Sequence, residues 1–158
     1  MRILEEDEFN VSLNFVGNDL EPEEITRILG RKPTSFVRKG MKHTIGKREL
    51  GPATYGSWSL ETESSTKEIE ETLIQMFSQL NGDLTAWEHL TKKYKGDLFC
   101  GVYLAWFGHG FTMTPRLHRM LADRNLEITF DIYPEFDFED AYGIAENKNA
   151  NQTELDNA

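Results

Sequence analysis

The stretch Leu98 to Phe107, LFCGVYLAWF, is apolar at nearly every position, so both of its faces prefer to leave water. It is about half the length needed to cross a bilayer as a helix. A short run of this kind suits a central strand with a neighbour on each edge, not an edge strand. The rest of the chain must supply those neighbours.

Three other segments do so. Phe9, Val11, Leu13 and Phe15 alternate with Asn10, Ser12 and Asn14, the period-2 pattern of a strand with one dry face and one wet face. Between Tyr55 and Thr62, Trp58 and Leu60 share a face opposite Ser57, Ser59 and Glu61. Ile128, Phe130 and Ile132 alternate with Thr129, Asp131 and Tyr133. Four strands follow from these patterns.

Helices are marked by spacing and by their ends. Pro22 suits a first helical position, where its missing N–H would be unpaired anyway, and Ile25, Ile28 and Leu29 form a stripe that Gly30 ends. From Lys67 to Leu80, apolar residues recur at helical spacing after a possible cap at Ser65 or Thr66. Leu84, Trp87, Leu90 and Tyr94 predict a shorter helix after Asn81-Gly82-Asp83. Thr114-Pro115 is a cap and first-turn pair leading to Leu117, Met120 and Leu121.

The pattern Val11, Leu13, Phe15, Pro22, Ile25, Ile28, Leu29 is echoed by Val102, Leu104, Trp106, Pro115, Leu117, Met120, Leu121. Read as a duplication, it gives two β-α-β halves with a helical insert between them. The expected fold is α+β: a four-stranded, mostly antiparallel sheet with helices on one face, close to a ferredoxin-like sandwich. Residues 1–8 form an acidic amino-terminal segment, 9–142 one globular domain, and 143–158 a polar tail expected to be disordered.

Several of these residues together are familiar. The order LEPEEITRILGRKPT, a Gly-Lys loop leading to GSWSLET, a helix, and a strand-helix-strand ending in EITFDIY resembles the bacterial domain of unknown function 4279 family. The resemblance runs from about Val11 to Tyr133 and is carried most specifically by Leu20, Pro22, Ile25, Leu29, Gly30 and Pro33, with Trp58 and Asp131 in support. Where that family usually has Asp before the proline, this chain has Glu21, a poorer N-cap, which would move the cap to Asp19. The resemblance implies a shared α+β fold and brings no activity with it.

Charge is unevenly spread. The chain carries a net −10, yet Arg31, Lys32, Arg38, Lys39, Lys42, Lys47 and Arg48 fall in a window with no acid, leaving −17 for the remainder. Such a balance repels nucleic acid and anionic membrane at long range and favours basic partners, so neither nucleic acid nor membrane is expected as a partner. One cysteine excludes an intramolecular disulfide framework and fits a reducing interior, and the opening MRILEEDEF has acids where a signal peptide needs an apolar core. A cytoplasmic location is expected.

No catalytic constellation stands out, and no metal or cofactor is expected. Cys100 lies within an apolar strand and reads as an inert core thiol, since a nucleophile would need a base beside it. His43, His89, His109 and His118 lack metal-ligand spacing. Gly108-His109-Gly110 before Thr114-Pro115 could hold an anion but lacks a full phosphate-loop pattern, and reads as a turn. Asp131, Glu135, Asp137, Glu139 and Asp140 lack calcium-loop spacing and read as a solvated acidic edge.

Two candidate surfaces remain. Arg31, Lys32, Arg38 and Lys39 could grip phosphate, with Trp58 or Phe36 stacking a base, as a small anionic ligand or nucleotide binder would. The sheet face away from the helices would present Tyr103, Phe107, Asp131 and Tyr133, which suits a protein partner or a homodimer. The leading expectation is a non-enzymatic protein-interaction module, of the immunity or inhibitor kind, that recognises its partner by electrostatic complementarity.

Overall fold

The computed structural model describes residues 5–106 and 109–134. The chain runs β1 (Glu8–Gly17), α1 (Pro22–Leu29), β2 (Ser35–Val37), β3 (His43–Ile45), β4 (Arg48–Leu50), β5 (Gly56–Glu61), α2 (Ile69–Ser78), α3 (Leu84–Lys93), β6 (Lys95–Leu104), α4 (Pro115–Asp123) and β7 (Glu127–Pro134). Five strands form one mixed sheet in the order β2-β5-β1-β6-β7, and β3 and β4 form a separate hairpin. The fold is α+β, as the alternating patterns imply.

The apolar run Leu98 to Leu104 does lie inside the sheet, antiparallel to β1 on one edge and parallel to β7 on the other. β1 itself is the middle strand. Leu13 faces Leu60 of β5 and Leu98 of β6, and Phe15 faces Trp58. These residues share one side with Val11, Cys100 and Val102, and all are buried. Ile25 and Leu29 of α1, Leu73 and Phe77 of α2, Trp87 and Leu90 of α3, and Leu117 of α4 complete the same core, so the helices cover that one side.

The expectation of four strands in two equivalent β-α-β halves is corrected. The sheet has a fifth strand, and it departs from a ferredoxin-like sandwich because α4 returns the chain so that β7 runs parallel to β6. In the first half the strand returning parallel to β1 is the short β2, and β5 lies antiparallel between the two. The echoed pattern also fails at its end: Phe15 is fully buried, whereas its counterpart Trp106 is 62% exposed.

Two expected caps are also corrected. Glu21, not Asp19, is the N-cap of α1 and makes no side-chain bond there, since Pro22 already presets the first turn; Gly30 closes the helix at φ 74°. Thr66 does not cap α2, which begins later, at Ile69 with Glu68 in the N-cap position, and neither does Ser65. The Ser65 backbone is committed elsewhere, bonded in both directions to Phe9 at 2.8 and 2.9 Å. The cap expected for α4 is present, Thr114 accepting from Leu117 N at 3.3 Å, and Asp83 caps α3 by accepting from Thr85 N at 2.9 Å.

A polar clamp joins α1 to the end of α3. The half-buried Glu24 carboxylate accepts from Lys93 Nζ and Tyr94 Oη, each at 2.6 Å, and lies 3.6 Å from His89 Nε2. The hydrogen bond from Lys93, then that from Tyr94, lower its pKa from 4.5 to about 2. A carboxylate depressed in the folded state stabilises fully above its unfolded pKa and loses that contribution as pH falls through the folded one. Glu24→Gln is therefore expected to lower the denaturant midpoint at neutral pH, and its deficit against wild type should close between about pH 4.5 and about pH 2. Urea titrations across that range check this; an unchanged deficit at the acid end would contradict it.

Candidate functional site

The side of the sheet away from the helices is set by the same alternation that fills the core. With Leu98, Cys100 and Val102 inward, Asp97, Phe99, Gly101 and Tyr103 must face outward, beside Asn10, Ser12 and Asn14 of β1 and Thr129, Asp131 and Tyr133 of β7. Antiparallel strand pairs commonly leave one face to solvent, and the antiparallel β1 and β5 carry rows of Ser and Asn there. Towards β6 and β7 it becomes aromatic and acidic.

Tyr103 and Tyr133, directly opposite in register, stack with ring centroids 5.0 Å apart and planes 14° apart. The Tyr133 hydroxyl donates to the Asp131 carboxylate, and this bond raises the phenol's pKa. Phe99 is 37% exposed on the same face, and Trp106 stands exposed just past the end of β6. Asp97 is the next outward residue before Phe99, near the start of β6, and its pKa is raised by burial against the sheet. Phe107 lies outside the described residues, as do Glu135, Asp137, Glu139, Asp140 and residues 143–158.

Gly101 fits this surface by the absence of a side chain. Its N–H donates to Asn10 Oδ1 at 3.1 Å, and a Cβ there would lie 2.3 Å from that oxygen and 3.2 Å from a Tyr103 ring carbon. The glycine thus lets Asn10 and Tyr103 lie close over the strand. Phe99, Trp106 and this Asn10-Gly101 contact are absent from the sequence-derived site. The signal for them was the polar Asp97 and the small Gly101 at alternate positions of an otherwise apolar run.

The basic window is not assembled into a phosphate grip. Arg38 forms a two-pronged ion pair with Glu23, one bond being 3.2 Å, while its guanidinium lies 5.3 Å from the centre of the Phe36 ring. Lys39 lies 3.8 Å from Asp19 and Lys42 3.4 Å from Glu49. Arg31 and Lys32, adjacent in sequence, line different clefts. Trp58 is fully buried, with its indole N–H donating to Thr26 Oγ1 at 3.1 Å, so its expected role as a stacking platform is corrected. Period-2 packing against Phe15 places it in the core.

Burial pushes the Cys100 thiol up to about 12, which leaves no thiolate for nucleophilic work at neutral pH. His109 binds Asp7, whose carboxylate also accepts from Ala105 N at 2.8 Å, pinning the start of the chain to the end of β6. His118 bonds its own helix cap at Thr114 O, 2.9 Å away. Among the described residues, no helix is long and apolar enough to cross a membrane.

The family resemblance carried by the α1 segment is a membership. The profile described as a domain of unknown function, DUF4279, matches residues 7–135, and the chain belongs to that family. No curated protein and no solved structure matches it. The matched span takes in every strand and helix described above.

Two outcomes are expected. Gly101→Val should lower stability by about 1–3 kcal/mol through crowding and displace Tyr103 from Tyr133, seen as a loss of near-ultraviolet dichroism. A thiol reagent should label Cys100 in native protein only at the rate of global unfolding, and labelling within the mixing time would contradict its burial.

Proposed function

We propose that this domain is a non-enzymatic protein-interaction module whose aromatic and acidic corner, at the ends of β6 and β7, docks a basic partner protein. The observation that carries the reading is the stacking of Tyr103 on Tyr133 beside Asp131 on a sheet face that no described helix covers, with Phe99 along the same face, Asp97 opposite Glu127 toward the other end of the strands, and Trp106 exposed just past β6. Tyr and Trp dominate interface energetics because they bury much area with few rotatable bonds. The carboxylates set the sign of the partner's charge and its approach rate. The −17 outside the basic window acts in the same direction at longer range.

A small acidic domain with a rigid aromatic corner fits an immunity or inhibitor role, in which binding occupies a basic functional surface of another protein. A cytoplasmic location fits its single, buried, unpaired thiol. A homodimer through this face is disfavoured by the like charge of Asp97, Glu127 and Asp131 on both copies.

Affinity capture from the host cell tests the reading. Wild type should retain a basic protein whose own activity falls on binding, and Asp97→Lys with Asp131→Lys should weaken retention about tenfold or more, mainly through association rate. Retention should also fall as salt is raised. A partner held equally by the charge-reversed variant, or turnover of a substrate by the isolated domain, would overturn the proposal.

A further inference from the structure

Exposed large apolar side chains gather at a second place, far along the sheet from β7. Phe36, Met41, Ile45 and Tyr55 surround β2 and the β3–β4 hairpin, with Ile45 67% and Tyr55 53% exposed. β2 is the end strand of the sheet and pairs only with β5, so the peptide groups on its outer side have no strand partner among the described residues.

A groove flanks that edge on each side of the sheet. One, of about 670 Å³, lies between β2 and α1 and is walled by Pro22, Thr26, Pro33 and Phe36, with Arg27 and Lys32 in its lining. The other, of about 710 Å³, is walled by Val37, Met41, Ile45, Pro52 and Tyr55, with Lys42 in its lining. Val37 and Ser57 both point away from the helices, so this second groove opens on the opposite face. An extended strand sends successive side chains to opposite faces. Laid against β2, it would feed the two grooves alternately.

The charge around the edge selects what such a strand carries. Arg38 and Lys42 are engaged by Glu23 and Glu49, but Arg27 and Lys32 have no ion-pair partner among the described residues. We propose that β2 accepts an extended acidic segment of a partner protein by strand addition. Its main chain bonds the free edge, apolar side chains fill the grooves, and carboxylates meet Arg27 and Lys32. This site shares no residue with the acidic corner, so the two proposals stand or fall separately.

Fluorescence anisotropy with a labelled peptide alternating Glu with Val tests it, using the full chain. Binding is expected, with an affinity loss of about tenfold or more in Arg27→Glu with Lys32→Glu. Both side chains are exposed, so the fold is retained, as far-ultraviolet dichroism verifies. A peptide methylated at alternate backbone nitrogens should not bind, because strand addition needs those donors. Equal binding of the methylated peptide or of its Lys-for-Glu counterpart would overturn the proposal. So would concentration-dependent self-association without peptide binding, which would assign the edge to a second copy of this chain.

Discussion

Every layer of the molecule rests on the inward row of β1. Phe9, Val11, Leu13 and Phe15 line the helix side of the sheet's middle strand, and all are buried. Phe15 lies 6.1 Å from Trp58 in an edge-to-face pair and 6.3 Å from Trp87, and Trp87 meets Phe77 at 5.7 Å. One side chain thus ties β5, α3 and, through Trp87, α2. Pairs of this kind add about 0.5–1.5 kcal/mol each beyond the area they bury. Replacing Leu13, at the centre of the row, with Ala would remove about 2–5 kcal/mol, a large share of a small domain's stability.

Where burial has a period, the sequence reveals it. β1, β5 and β7 are legible because alternate residues meet oil and water, and α1, α3 and α4 because Pro22, Asp83 and Thr114 mark their starts. β2 is not legible, because three residues within a polar, basic stretch carry no period at all. The parallel pairing of β7 is equally hidden, since pattern gives a strand its faces but not its direction. Without those two facts, a four-stranded antiparallel sheet was the simplest assembly of the visible pieces.

The candidate surfaces show the same division. Ser12, Asn14, Ser57, Ser59, Tyr103, Asp131 and Tyr133 share one face because alternation dictates it. Trp58 was readable in the same way: its pairing with Leu60 on one side of the strand placed it indoors, against the role its chemistry suggested. The fate of the basic window was not readable. Its cations find Asp19 and Glu23 only after α1 folds back along the sheet, and no local spacing announces contacts made across such a turn.

The three tryptophans divide the molecule optically. Trp58 and Trp87 are sealed in the core, the second beneath the Arg124 guanidinium at 5.4 Å, while Trp106 stands in water at the end of β6. A water-borne quencher can therefore dim Trp106 and leave the other two alight. A spectral change confined to the quenchable emission then reports an event at that corner, whereas loss of the protected emission reports opening of the interior. The chain carries two native lamps for its fold and one for its surface.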